Sequence, residues 1–540
     1  MTARIPPAAL AAFAALAAAS TPALGADLRN AAEAPRVTLP GDATASAVQA
    51  DPATWIVGVR AGAGAAAAQI ARAHGATRIA GQAWLAPRER TRALAAALRA
   101  RGVLDYAEPN RLSRVAQAPD PLSAQAAWRD RVVGDAVAPP VDPLASPLIA
   151  LVDTQIDVTH PELAGSNIAT LGGSTVADYH GTATATVAAA PANGVGTLGV
   201  WPGARTLNIP LPNGEEIACS DSAGGIAAAI KAGAAAINMS YGSPSKCIAE
   251  EQQVQRAVKA GAVPVAASGN EFDLGNPTEY PASLPHVLTV GAIGQDDTPT
   301  FFSSESAAVD LAAPGIDILT AVPAAFDPDD TDDGFAAVAG TSFSAPMVAA
   351  AVAWVRAARP DLTPFQAAQV VRLGARDVGK PGYENATGFG VLNLPGALAR
   401  QAPADDPLEP NDDIRLINGR AFNELTPPLF WGRNRVALAA TADVAEDPVD
   451  VYRVKVRAGH KVRISLEPSV GDPDLFVFDG KARSVHSAKA VKRSSRSGKR
   501  TDSVTVRNRG HKTTTFYAAV GFRNGKRLKL LNASYTLRAG

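Results

Sequence analysis

From residue 147 to residue 398 the chain alternates short, continuously apolar runs with stretches of helical character. This alternation constrains the fold more than any other feature. The runs 148–152, 206–209, 236–238, 263–267, 287–290 and 309–312 carry strand-forming residues without an apolar–polar rhythm. A strand that is apolar on every residue is buried on both faces. Helical patterns lie between several of the runs, as at 222–231 and 251–260. The combination predicts an α/β domain, doubly wound, with a mostly parallel central sheet covered on both faces. In such a fold a site forms beyond the carboxyl ends of the strands.

At 540 residues the chain has room for more than this domain. Arg4, the apolar run 8–19 and the small residues of Ala23-Leu24-Gly25 predict a signal peptide over 1–25, hence export. No later stretch reaches about 18 unbroken apolar residues, so no membrane span is expected. Residues 26–115 form a leading segment. It begins as an Ala- and Pro-rich lead and continues from residue 51 as a small α+β unit. Its expected elements are a strand at 55–59, helices at 66–73 and 91–101, and a strand and turn at 103–109. The α/β domain is expected to occupy 116–400. The Pro- and acid-rich stretch 401–413 reads as a linker. Beyond it the period changes to two. Tyr452, Val454 and Val456 alternate with Arg453, Lys455 and Arg457, and Val462, Ile464 and Leu466 repeat the pattern. That rhythm predicts an antiparallel β-sandwich over 414–540. Residues 481–500 are polar and basic and read as a long surface loop.

The 51 basic and 51 acidic residues cancel, so no nucleic-acid partner is expected. Two cysteines, Cys219 and Cys247, in an exported chain point to one disulfide. The acidic run 327–333 has ligands suited to calcium. It lacks EF-hand spacing and also fits a solvated loop, and the same holds for Asp472 and Asp474. No cofactor is therefore expected to be required.

Four residues carry the candidate chemistry. Ser342 lies in Gly340-Thr341-Ser342-Phe343-Ser344, just before a long apolar helical run. A serine at a helix start meets the positive end of the dipole and unpaired N–H groups. It also fits a plain helix cap, and Ser344 competes with it. His180, in Tyr179-His180-Gly181-Thr182, is the one histidine of seven that joins a following glycine to the start of a helix. His160 and His286 read as structural. Asp153 ends the apolar run 148–152, where a carboxylate can meet an imidazole or merely cap a strand end; Asp157 is a nearby decoy. Asn270 closes the run 263–267 and its turn. Its amide could donate to a developing oxyanion or simply form the turn.

Each residue alone has a bland alternative, but the set in the order Asp, His, Ser does not. With the segments ALVDTQID, HGTATATVAAA, INMSYGSP, AASGN and GTSFSAPMVAA, residues 147–398 resemble the catalytic domain of the subtilisin family. The resemblance implies a serine endopeptidase acting on proteins or peptides as a monomer. It makes Asp153 the orienter, His180 the general base and then acid, Ser342 the nucleophile and Asn270 the oxyanion donor. It sets Ser240, Tyr241, Gly242, Ala267, Ser268 and Gly269 along the substrate, which adds as a strand and places a side chain in their first pocket. Gln155, Tyr179, Phe343 and Ser344 depart from the residues usual in the family, and Gln155 and Tyr179 are expected to narrow the cleft. The interval from Asp153 to His180 is short for the family. A G-x-S-x-G elbow is missing at Ser342, which speaks against a lipase fold.

Residues 51–115, ending in Tyr106-Ala107-Glu108-Pro109-Asn110, look like the family's inhibitory propeptide. That likeness implies a temporary inhibitor removed by self-cleavage within 111–120. Residues 407–540 resemble the bacterial prepeptidase C-terminal domain, through LEPNDD, DVYRVKVRAGHKVRISL, GDPDLFVF and SYTLRAG. Such domains are accessory and often removed. The whole reads as a secreted serine endopeptidase made as a self-processing zymogen.

Overall fold

In the computed structural model, residues 36–37, 50–111, 120–134, 137–140, 146–173, 175–212, 216–329, 333–431, 436–522 and 532–540 are described. The expected signal peptide lies outside them, as do nearly all of the lead and of the cleavage segment 111–120, and the middle of the acidic run 327–333. The chain divides into two compact units, Met1–Ala116 and Gln117–Gly540.

The first unit contains β1 (Arg36–Val37), β2 (Ala50–Val59), α1 (Gly64–Ala73), β3 (Thr77–Ala80), β4 (Ala83–Pro87), α2 (Arg88–Ala100) and β5 (Leu104–Arg111). They form one sheet in the order β1-β5-β2-β4-β3. Leu94, Ala95 and Leu98 recur at helical spacing on α2 and bury against Val57, Trp84 and Ala107 of the sheet. The β3–β4 hairpin is absent from the sequence expectation. Its strands are short, and Thr77–Ala80 has no apolar rhythm to betray it.

The second unit opens with α3 (Trp128–Val132). It continues through β6 (Ile149–Asp153), β7 (Ile168–Thr170), α4 (His180–Ala189), β8 (Thr206–Pro210), α5 (Cys219–Lys231), β9 (Ala236–Met239), α6 (Ile248–Lys259), β10 (Val263–Ala267), β11 (Leu288–Ile293) and β12 (Val309–Pro314). A ribbon of β13 (Ile318–Ala321) and β14 (Phe335–Val338) precedes α7 (Thr341–Ala358), α8 (Pro364–Leu373) and α9 (Leu394–Ala399). The central sheet has the order β12-β11-β10-β9-β6-β8-β7, and every pairing in it is parallel. Strand β6 shows why its run is apolar throughout. Ile149 and Leu151 join the core with α4 and α7, while Ala150 and Val152 join the opposite core with α5 and α6. The fully buried side chains of Ile149, Leu151 and Val152 contribute roughly 1.5–3 kcal/mol each. The expected doubly wound sheet is therefore present, with the carboxyl ends of β6, β9 and β10 on one edge.

The C-terminal part contains α10 (Ile414–Ile417), β15 (Phe430–Trp431), β16 (Val436–Asp443), β17 (Val449–Val456), β18 (Lys461–Val470), β19 (Asp474–Asp479), β20 (Lys492–Ser494), β21 (Asp502–Arg507), β22 (Thr514–Gly521) and β23 (Asn532–Ala539). The sheets β15-β17-β22-β19-β20 and β16-β23-β18-β21 enclose Val454, Val462, Ile464, Leu466 and Leu537. Strand β18 alternates buried and exposed residues as its period requires. Two details differ from the sequence reading. Strand β15 runs parallel to β17, and the supposed loop 481–500 contains β20, which pairs with β19. Its exposed, basic side chains hide the short strand from a pattern-based reading.

The stretch 401–413 is packed rather than free. Asp406, Asn411, Asp412 and Asp413 are buried. Arg372 of α8 reaches Asp310 at 2.8 Å, Asp443 at 2.9 Å and Glu446 at 2.5 Å. His286 meets Asp412 at 3.0 Å and Glu409 at 3.3 Å. Buried ion pairs therefore join the α/β part to the sandwich.

Candidate active site

Three elements end or begin at one place. Strand β6 ends on Asp153, α4 begins at His180, and Ser342 lies in the first turn of α7. His180 Nδ1 lies 2.7 Å from Asp153 Oδ1. The carboxylate is nearly closed from water, and the imidazole keeps about a quarter of its surface exposed. Asp153 also accepts the Thr154 N–H at 2.7 Å and the Thr184 hydroxyl at 3.0 Å. With its oxygens held this way, the carboxylate presents a fixed acceptor to Nδ1 and so selects the tautomer that keeps Nε2 basic.

The start of α4 is held separately. Asp178 Oδ1 accepts the His180 N–H at 2.8 Å, and the Thr154 hydroxyl accepts the Gly181 N–H at 2.9 Å. Gly181 has no room for a side chain, since a Cβ there would lie 2.2 Å from the Thr154 carbonyl oxygen. Glycine after the histidine is thus demanded by packing between β6 and α4.

The Phe343 ring lies 5.5 Å from that of His180, which brings the beginnings of α4 and α7 together. Ser342 Oγ donates to the Ser240 carbonyl at 3.2 Å. In return the Ser240 hydroxyl donates to the Ser342 carbonyl at 2.7 Å. That carbonyl is available because Pro346, four residues on, has no N–H to offer it. Proline within α7 therefore frees an acceptor that ties Ser342 to the end of β9.

Asn270 Oδ1 accepts both the backbone N–H and the hydroxyl of Thr341, at 2.9 and 3.0 Å. This fixes the amide and leaves Nδ2 as its donor, on the side of Gly340. A cavity of about 510 Å³ adjoins the site. Asp153, Tyr179, His180, Ser240, Tyr241 and Gly242 line one part of it, and Cys219 and Cys247 another. The two cysteines form a disulfide that closes the starts of α5 and α6 against this wall.

The decoys sit elsewhere. Ser344 is buried and donates to the Ala313 and Pro314 carbonyls. His160 is buried between the Gly334 carbonyl and the Glu162 N–H. Asp157 serves its own turn through Thr159. Gln155 does not narrow the cleft as its size led us to expect. It is buried and donates to the Ile156 carbonyl and to Thr170 of β7. Sequence reasoning passed over Thr184, Thr154 and Asp178. Thr184 had a legible signal, because it lies one helical turn after His180 on the same face of α4.

Neither the 327–333 run nor the pair Asp472 and Asp474 gathers three donor side chains among the described residues. Such gatherings occur instead where the sandwich meets the α/β part. His286, Glu409, Asp412 and Asp447, and likewise Asp406, Glu409, Asp447 and Asp450, bring ligand atoms within 4.8 Å of one another. Both carboxylate oxygens of buried Asp447 lack a hydrogen-bond partner among the described residues. Oxygen-rich sets of this kind suit hard divalent cations.

Residues 145–390 match the model of the subtilase family. Subtilisin from Bacillus pumilus is 32% identical over 265 residues, covering 46% of this chain and 90% of that protein. Subtilisin DY from Bacillus licheniformis is 31% identical over 256 residues, with 46% and 89% covered. Subtilisin amylosacchariticus from Bacillus subtilis subsp. amylosacchariticus is 32% identical over 265 residues, and this chain spans 65% of its length and 46% of its own. The chain belongs to the subtilase family.

Proposed function

We propose that this protein is an exported serine endopeptidase that hydrolyses peptide bonds through an acyl-enzyme on Ser342. The observation that carries the reading is the 2.7 Å contact between His180 Nδ1 and buried Asp153, at the point where α4 and the Ser342 turn of α7 meet. In this reading the substrate adds as a strand between the segments 240–242 and 267–269. The Ser342 hydroxyl turns from the Ser240 carbonyl and gives its proton to His180 Nε2 as Oγ attacks the scissile carbonyl carbon. Asp153 stabilises the resulting imidazolium and stays ionised. The tetrahedral oxyanion takes hydrogen bonds from Asn270 Nδ2 and from the Ser342 N–H, which lies in a first helical turn whose amides lack intrahelical acceptors. His180 then protonates the leaving amine, and water reverses the sequence to free the acid.

Export and zymogen processing belong to the same proposal. The Cys219–Cys247 disulfide fits an oxidising compartment. The compact Met1–Ala116 unit, with its own sheet and core, fits a leading segment that folds by itself and is released.

The test is hydrolysis of casein and of fluorogenic peptides by wild type, Ser342→Ala and His180→Ala. Loss of at least about 1,000-fold in kcat for both variants is expected. Undiminished hydrolysis by a folded Ser342→Ala protein would remove the proposal.

A further inference from the structure

The endopeptidase reading leaves open which residue is accepted before the scissile bond. On that reading, the side chain of this residue enters between Gly242, after β9, and Gly269, after β10. The side chains of two carboxylates occupy the space directly beside these glycines. A Cβ built on Gly242 would lie 2.9 Å from Glu279 Oε2. One on Gly269 would lie 2.7 Å from Glu279 Cγ, 2.7 Å from Glu271 Oε2 and 2.8 Å from Ser304 Oγ. The two substrate-flanking segments thus converge on Glu279, with Glu271 beside it.

Glu279 is only 4% exposed, and its Oε1 is buried with no hydrogen-bond partner among the described residues. Glu271 Oε2 accepts the Asn270 N–H at 2.6 Å, which ties this carboxylate to the turn bearing the oxyanion donor. Neither glutamate forms an ion pair among the described residues. The nearby Lys246 is engaged elsewhere, with Glu251 at 3.2 Å and above the Tyr280 ring. A buried carboxylate without hydrogen bonds or a counter-charge costs several kcal/mol. Burial and the charge of Glu271 accordingly push the Glu279 carboxyl up to about 7. The fold keeps an uncompensated acid against the two substrate-flanking glycines.

A substrate can supply the missing charge. Arginine or lysine entering between the glycines displaces the end of the flexible Glu279 side chain and pairs its cation with that carboxylate, a guanidinium through two parallel N–H groups. An apolar side chain would desolvate Glu279 and leave it unpaired. We infer that Glu279, seconded by Glu271, makes this enzyme cleave after arginine and lysine.

The experiment measures kcat/KM for the processed protein on peptide p-nitroanilides that differ only in the residue before the cut: Arg, Lys, Gln, Leu or Phe. Rates are normalised to the fraction of enzyme that a fluorophosphonate labels. Wild type is expected to favour Arg and Lys over Leu and Phe by at least about 100-fold. Glu279→Gln and, separately, Glu279→Gly are expected to lower the Arg-to-Leu ratio by at least about 10-fold. A wild-type preference for Leu or Phe overturns the inference even if both variants misfold. So does an unchanged Arg-to-Leu ratio in either labelled variant. Fluorophosphonate labelling without cationic preference defeats this inference alone, whereas absence of labelling and of all hydrolysis defeats the peptidase reading beneath it.

Discussion

Thr184 donates its hydroxyl to Asp153 Oδ2 at 3.0 Å, from one turn beyond His180 on the same helix. The histidine and the residue that steadies its partner carboxylate therefore move as one body. Thr184→Val keeps the shape and removes the donor. We expect kcat to fall about 10-fold with KM unchanged, because a hydrogen bond to a charged group is lost without touching the substrate. Thr184→Ser should restore most of kcat. Steady-state kinetics on one peptide substrate checks both.

Asn270 is held by Thr341 through Oδ1, so its Nδ2 is aimed before any substrate arrives. Asn270→Leu should lower kcat by about 100- to 1,000-fold, the usual cost of one oxyanion donor. The KM should change little. A proportionate rise in KM with kcat preserved would assign Asn270 to substrate binding instead.

The disulfide closes a loop across 28 positions. Loop-closure entropy of that size is worth about 3–4 kcal/mol. The double variant Cys219→Ser, Cys247→Ser should unfold at correspondingly lower denaturant concentration. Both cysteines also line the cavity beside the site, so the variant should bind extended peptides more weakly than dipeptide esters.

Arg372 satisfies three buried carboxylates at once, two of them from the sandwich side. Arg372→Leu leaves them unpaired and should destabilise the α/β part and the sandwich together by about 3–5 kcal/mol. Differential scanning calorimetry of the processed protein reads this directly. Two separate transitions already present in wild type would contradict the coupling.

Glu162 is fully buried, and burial raises its carboxyl to about 8 despite hydrogen bonds from Thr197. Its folded value lies above the ordinary one, so the folded state holds the proton more tightly. Stability from this group is complete below about pH 4 and declines as pH rises towards 8. Glu162→Gln should flatten that decline, seen as a smaller fall in Tm between pH 5 and pH 8.

The central sheet was legible because burial on both faces leaves continuous apolar runs, and the sandwich because burial on one face leaves a period of two. The β3–β4 hairpin and β20 were not, since β3 and β20 are short strands with mainly exposed side chains and β4, though it buries Trp84 and Ala86, spans only five residues. Within the site, residues that must sit at a strand end or helix start were legible from their neighbours. Gln155 was misjudged because size in a sequence does not reveal direction, and its side chain turns toward Thr170. The role inferred for Glu279 rests on a tertiary approach. It lies nine positions after Asn270 in sequence, and only the fold brings its carboxyl against Gly242.

The most direct measurement of the central claim is the site of covalent modification by a fluorophosphonate probe. One probe per processed chain is expected, recovered on the peptide containing Ser342 and lost in Ser342→Ala. Stoichiometric labelling of any other residue, or a folded and processed protein that takes up no probe, would contradict it.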